Sequence, residues 1–120
     1  MKLLVTTTGP SLEDALESRF GRARHVLVVD TENGAVASHD RTPMLNSPQG
    51  AGIQAAQAAI DLGADAVLTG NVGPKAFRAL QAAAIPVYLA GPGTAAEAIG
   101  QFKTGTLVAA TAASMEAHAV

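Results

Sequence analysis

The chain has 120 residues, enough for one domain with a single core and too few for two. A formal net charge of −2 with no basic tail excludes the global field that non-specific nucleic-acid binding needs, and the absence of cysteine excludes disulfides and the thiolates that ordinarily hold iron–sulfur clusters or structural zinc. Hydrophobic residues make up 48% but aromatic residues only 3%, so the core must be a close packing of Val, Leu, Ile and many alanines.

Met1 to Thr8 contains too short an apolar run for a secretory signal, and no segment approaches membrane-spanning length, so a cytoplasmic location without a membrane partner is expected. Lys2 to Thr8 reads as a buried first strand ended by Gly9-Pro10. Ser11 to Ser18 reads either as a short helix, with Ser11 and Asp14 resembling a capping box, or as a structured loop. His25 to Asp30 is a second strand, Asn33-Gly34 a hairpin turn, and Ala35 to His39 a third strand, which makes an antiparallel meander. Thr42 to Gly52 is a long connection rich in Pro, Ser, Asn and Gly, and is read as functional or mobile.

From Ala51 the spacing of Ile53, Ala56, Gln57 and Ile60 predicts a helix that stops at Gly63. Ala64 to Thr69 is strand four, Pro74 to Ala84 a helix burying Phe77, Leu80 and Ala84, and Pro86 to Ala90 strand five. Thr94 and Glu97 form a capping box for a third helix carrying Ala95, Ala98, Ile99 and Phe102. Residues 1–107 are thus expected to form a single α/β domain, with residues 108–120 an Ala-rich tail that frays. Right-handed crossovers, with strand four beside strand one, give a mixed five-stranded sheet of order 3-2-1-4-5 with only strand 2 antiparallel, the ribonuclease H-like arrangement of three layers. Four loops then meet at the carboxyl edge: 9–19, 42–50, 70–73 and 91–93.

Two of those loops are read as equivalent units. Gly70-Asn71-Val72-Gly73-Pro74 stops a strand and opens a helix, Gly91-Pro92-Gly93-Thr94 does the same, and each is either plain turn chemistry or a seat for an anion at a helix N-terminus. Arg19, Arg22 and Arg24 lie within six residues. They either form a solvated turn paired with Glu13, Asp14 or Glu17, or grip an anion by planar guanidinium forks with help from Lys75. Asn46, Ser47 and Gln49, with Gln54 and Gln57, can offer neutral hydrogen bonds or be ordinary surface residues; Met44 reads as a lid or a soft ligand. His25, His39 and His118 are not spaced as metal ligands. The first strand carries no acid, which disfavours a two-metal nuclease, and no nucleophile grouping, complete P-loop or dinucleotide fingerprint appears, so no enzyme is expected.

The segments Arg19-Phe20-Gly21-Arg22-Ala23, Gln49-Gly50-Ala51-Gly52, Gly63-Ala64-Asp65-Ala66-Val67, Gly70-Asn71-Val72-Gly73-Pro74 with Ala76-Phe77, and the Gly91 to Thr94 turn resemble the dinitrogenase iron–molybdenum cofactor biosynthesis family. The resemblance runs in order from Met1 to about Leu107, its specific parts being the Arg-Phe-Gly-Arg and Gly-x-x-Gly-Pro segments. It implies a ribonuclease H-like domain that binds or carries a metal–sulfur cluster, exchanged with a protein donor or acceptor. In small cysteine-free members that cluster is a molybdenum–copper sulfide unit held without covalent attachment. By matching position the cofactor-binding candidates are Arg19, Arg22, Arg24, Asn46, Gln49, Gly50, Gly70, Asn71 and Gly73. Asn46 and Ser47 stand where many members carry Cys or His, which points away from iron–molybdenum cofactor itself. An interaction module docking an acidic partner, or an enzyme on a phosphorylated or carboxylated small molecule, are the other readings of the same loops.

Overall fold

Strand β1 (Lys2–Thr7) is buried from Leu3 onward because it lies in the middle of a sheet covered on both faces. It pairs antiparallel with β2 (His25–Asp30), from Lys2↔Asp30 to Thr7↔His25, and parallel with β4 (Ala66–Thr69). The outer strands are β3 (Val36–Asp40), antiparallel to β2, and β5 (Val87–Leu89), parallel to β4. The computed structural model, which describes residues 1–42 and 50–114, therefore has the expected order β3-β2-β1-β4-β5 with β2 alone running against the others.

Alternation along β1 separates two cores. Leu4 faces helices α1 (Ala51–Asp61) and α2 (Pro74–Ala82), while Leu3 and Val5 face α3 (Ala95–Lys103). On α1 the buried stripe is Ala55, Ala56 and Ala59, whereas Ile53 and Ile60 are each 39% exposed. The apolar spacing locates the helix, and alanines set its inner face. Small residues face inward because α1 and α2 approach closely: a methyl placed on Gly52 would touch that of Ala76 at 3.6 Å. Similarly, α2 buries Ala76 and Leu80, leaves Phe77 half-buried, and stops before Ala84, which is exposed in the left-handed region at φ 60°.

All three helices end alike. The amides of Ala64, Ile85 and Thr106 each reach back five residues to a helix carbonyl, with Gly63, Ala84 and Gly105 in the left-handed region just before them. The hairpin between β2 and β3 turns through Gly34 at φ 77°, and the Asp30 carboxylate accepts from the amides of Glu32 and Asn33. Those amides hold the Asp30 carboxyl below its usual range. Past α3, the chain returns along the free edge of β5: Ala109 pairs with Tyr88, the Ala110 amide donates to Val87, and Ser114 donates to the Val72 carbonyl at 2.9 Å. Among the described residues, no helix is long and apolar enough to cross a membrane.

Residues 11–18 form a structured loop rather than a helix. Asp14 does accept the Ser11 amide, as a capping residue would, but the next residues are drawn off into tertiary bonds. The Thr8 amide donates to Ala15, the Leu16 amide to Gly93 and the Glu17 amide to Thr6. Strand-like pairing with two neighbours outweighs a two-turn helix, which is marginal by itself.

Candidate functional site

Two buried threonines at the carboxyl ends of β1 and β4 position the loop that crosses this edge. Thr6 Oγ1 donates to the Glu17 carbonyl at 2.9 Å and lies 2.8 Å from Thr69 Oγ1. The loop is pressed so tightly onto the start of the β4–α2 turn that a Cβ on Gly70 would sit 2.6 Å from Ser18 Cα. Gly70 is glycine for that approach. One residue on, Arg19 pairs with Asn71, and the Phe20 amide donates to the Asn71 carbonyl at 3.0 Å. Phe20 begins a 3-10 turn (Phe20–Arg22) and fills the core among Ala55, Ala56, Val72 and Ala76, which holds the turn against α1. The arginine-bearing segment is thereby tied to the Gly70–Gly73 turn and to the first turns of α1 and α2.

The two glycine-rich units expected to be equivalent differ here. At α3 the protein occupies its own helix N-terminus: the Ala95 amide donates to Asp14, the Ala96 amide to Leu12 and the Glu97 amide to Thr94 Oγ1. The Glu97 carboxylate in turn accepts from the Thr94 amide, which holds the Glu97 carboxyl below its usual range. The Gly91–Thr94 turn is closed. By contrast α1 and α2 start from Gly50 and Gly73, neither of which can supply a side-chain cap. Among the described residues, no acceptor meets the amides of Gly52, Ile53, Lys75 or Ala76. These two unstoppered N-termini lie side by side, each with a partial positive charge. Gly50 stands at φ 90°, which favours glycine, whereas Gly73, at φ −79°, is ordinary extended backbone.

Around this edge, among the described residues, Arg19 and Arg24 do not pair with the upstream acids. The Glu17 carboxylate accepts from the Arg19 amide and the Ser18 hydroxyl, and that of Asp14 from the Ser11 amide. The side chains of Arg19 and Arg24 are exposed and meet no carboxylate among the described residues, while Arg22 is half-buried with interactions of its own. The sequence reading missed Arg41. Its amide donates to the Arg24 carbonyl at 2.6 Å, so the two arginines extend the β2–β3 ladder beyond His25↔Asp40. The Arg41 guanidinium is half-buried, and its desolvation lowers its pKa. Asp40 beside it is turned to Thr42, whose amide and hydroxyl hold the carboxyl low.

The structure thus joins Arg19, with Arg22 in the same 3-10 turn, to Gly70 and Asn71, places Gly50 and Gly73 at the starts of α1 and α2, and sets Arg24 beside Arg41; Asn46 and Gln49, with Met44 and Ser47, lie outside the described residues. Among the described residues no three of His, Asp and Glu gather as metal ligands. His25 is half-buried on β2 with Nδ1 unbonded, and His39 lies on β3. The donors present, main-chain amides and guanidinium groups, suit the acceptor atoms of an anion and not a bare cation.

Comparison with known proteins decides the family. The sequence model of the dinitrogenase iron-molybdenum cofactor family matches residues 1–105. The chain belongs to this family. The apo orange protein of Desulfovibrio gigas superposes with a TM-score of 0.89 at 40% identity, over 95% of this chain and 96% of that one. A Thermotoga protein of the DUF35 family, solved by NMR, gives 0.82 at 31% identity over 95% and 97%. An uncharacterized protein of Methanocaldococcus jannaschii is 29% identical over 100 residues, 82% of this chain and 85% of its own. The family relationship supports a cofactor-related binding role and a metal-cluster theme.

Proposed function

We propose that this chain, a ribonuclease H-like domain, is a non-enzymatic carrier that binds an anionic metal–sulfide cluster of the molybdenum–copper type, for assembly, storage or transfer to a protein acceptor in the cytoplasm. The observation that carries the reading is the pair of unstoppered N-termini of α1 and α2 beside the arginine-bearing turn, in a chain 40% identical to an orange protein. The cluster would bring metal already saturated by sulfide. Gly50, Gly70, Asn71 and Gly73 would shape the seat, the amides of Gly52, Ile53, Lys75 and Ala76 would donate to sulfide, and Arg19, Arg22 and Arg24 would balance the charge. Asn46 and Gln49 complete the proposed set. The seat lies within residues 1–107, with Ser114 bracing Val72 of its turn from beyond them, and no residue of it performs covalent chemistry.

The test is reconstitution. Protein incubated with tetrathiomolybdate and Cu(I), then desalted, is expected to keep a charge-transfer absorption with molybdenum and copper in fixed ratio to protein. Colour lost completely on desalting sinks the proposal and favours the docking module; displacement of the colour by phosphate esters but not by excess thiomolybdate favours a small-molecule enzyme.

A further inference from the structure

Arg24 and Arg41 are cross-strand neighbours at the mouth of the carboxyl edge, joined by the Arg41 amide to the Arg24 carbonyl. Ladder partners in an antiparallel pair have side chains on the same face at close range, and like charges so placed repel. Proteins ordinarily offset such a pair with a carboxylate. Among the described residues no side chain does so: neither guanidinium has an ion pair there, and Asp40 spends its carboxylate on Thr42. Arg41 is moreover half-buried, where a guanidinium without a counter-charge costs more than on the open surface. An unbalanced, partly desolvated double positive charge at the end of a rigid ladder suits a ligand that carries the missing negative charge.

We propose that Arg41, with Arg24, forms a two-guanidinium clamp that selects multiply charged tetrahedral thioanions for the seat. The inference rests on the cluster reading above and deepens it. The ligand class follows from the charge: a monoanion leaves one guanidinium unbalanced, whereas a dianion with several acceptor atoms meets both forks at once.

Tetrathiomolybdate alone serves as the probe, titrated by its absorption against wild type, Arg41→Gln and Arg41→Lys, with the melting temperature of each ligand-free protein measured alongside. Arg41→Gln is expected to bind roughly tenfold to a hundredfold more weakly, the loss typical of one charge-assisted contact, and with a shallower salt dependence. Its ligand-free melting temperature should be unchanged or raised, because the repulsion with Arg24 is relieved. Arg41→Lys should fall between, keeping charge but losing the fork. Equal affinity of wild type and Arg41→Gln overturns the clamp and leaves the cluster reading standing, as does a binding loss matched by a lowered ligand-free melting temperature. Failure of wild type to bind thiomolybdate, with or without Cu(I), overturns the cluster reading itself.

Discussion

Gly70→Ala is the most direct test of how this edge is built. The added methyl would lie 2.6 Å from Ser18 Cα, 2.8 Å from its carbonyl oxygen and 3.1 Å from its carbonyl carbon, against a preferred carbon–carbon separation of about 3.5–4.0 Å. One backbone must retreat by roughly 1 Å. Neither can do so freely, because Ser18 is pinned on one side by the Glu17 amide to Thr6 at 2.9 Å and on the other by the Phe20 amide to Asn71 at 3.0 Å. Overpacking of this kind costs about 1–3 kcal/mol, and losing the Phe20 bond adds about 1 kcal/mol, so a total of about 2–4 kcal/mol is expected. For a domain of this size that lowers the melting temperature by roughly 8–16 °C.

The assay is urea unfolding of Gly70→Ala beside Gly91→Ala. Gly91 is also a glycine of an edge turn, but a methyl there meets nothing within 4 Å and its φ lies outside the left-handed region, so its change should stay within about 0.5 kcal/mol. The midpoint of Gly70→Ala should fall with the slope unchanged. Equal midpoints for the two variants would refute the close approach of the two loops. Cluster retention should also fall in Gly70→Ala, because the displaced Ser18 carries Arg19 and Phe20 with it.

Replacing Arg19 and Arg24 together by alanine should cut molybdenum retention after desalting at least tenfold while the urea midpoint moves by less than about 1 kcal/mol equivalent, since both are exposed and exposed charges contribute little to stability. Ala84→Gly should stabilise by roughly 1 kcal/mol, read as a rise in midpoint, because Ala84 alone of the three helix-ending residues pays the left-handed cost that Gly63 and Gly105 avoid. Thr94→Ala should cost about 1 kcal/mol through loss of the cap. The Glu97 carboxyl is held below its unfolded value of 4.5, so its contribution is complete above that pH and is lost as pH falls through the folded value. Glu97→Gln should accordingly flatten the acid limb of the melting-temperature profile below about pH 4.5; an unchanged limb would refute the capping box as its source.

The fold was legible because its strong signals are local and agree with one another. Asn33-Gly34 set the hairpin, Gly63 and the Thr94–Glu97 pair set helix ends, and the alternation of strands with helices then left one economical sheet order. What the local signals left open was decided by tertiary contacts. The first residues of the 11–18 segment make the local bond of a helix start, but β1 and the Gly93 turn compete for the next amides and win. On α1, Ile53, Ala56, Gln57 and Ile60 mark the helix, and where two helices pack close over one sheet it is Ala55, Ala56 and Ala59 that face inward.

The site was half legible, and the missed half was recoverable by arithmetic. A hairpin that pairs Asp30 with Ala35 must, with no bulge, carry Arg24 opposite Arg41; the ladder keeps that register from Val29↔Val36 to His25↔Asp40. The larger error was to treat the two glycine turns as twins. Their difference is written at two positions: the residue before α2 is Gly73 and its third helical residue is Ala76, whereas before α3 these are Thr94 and Glu97. A capping box satisfies amides that an anion would otherwise use, so the motif that best announces a helix start also announces that the start is closed. An open helix N-terminus is therefore found by looking for glycine without the box. In this chain that criterion selects α1 and α2 and rejects α3, the same division the hydrogen bonds make.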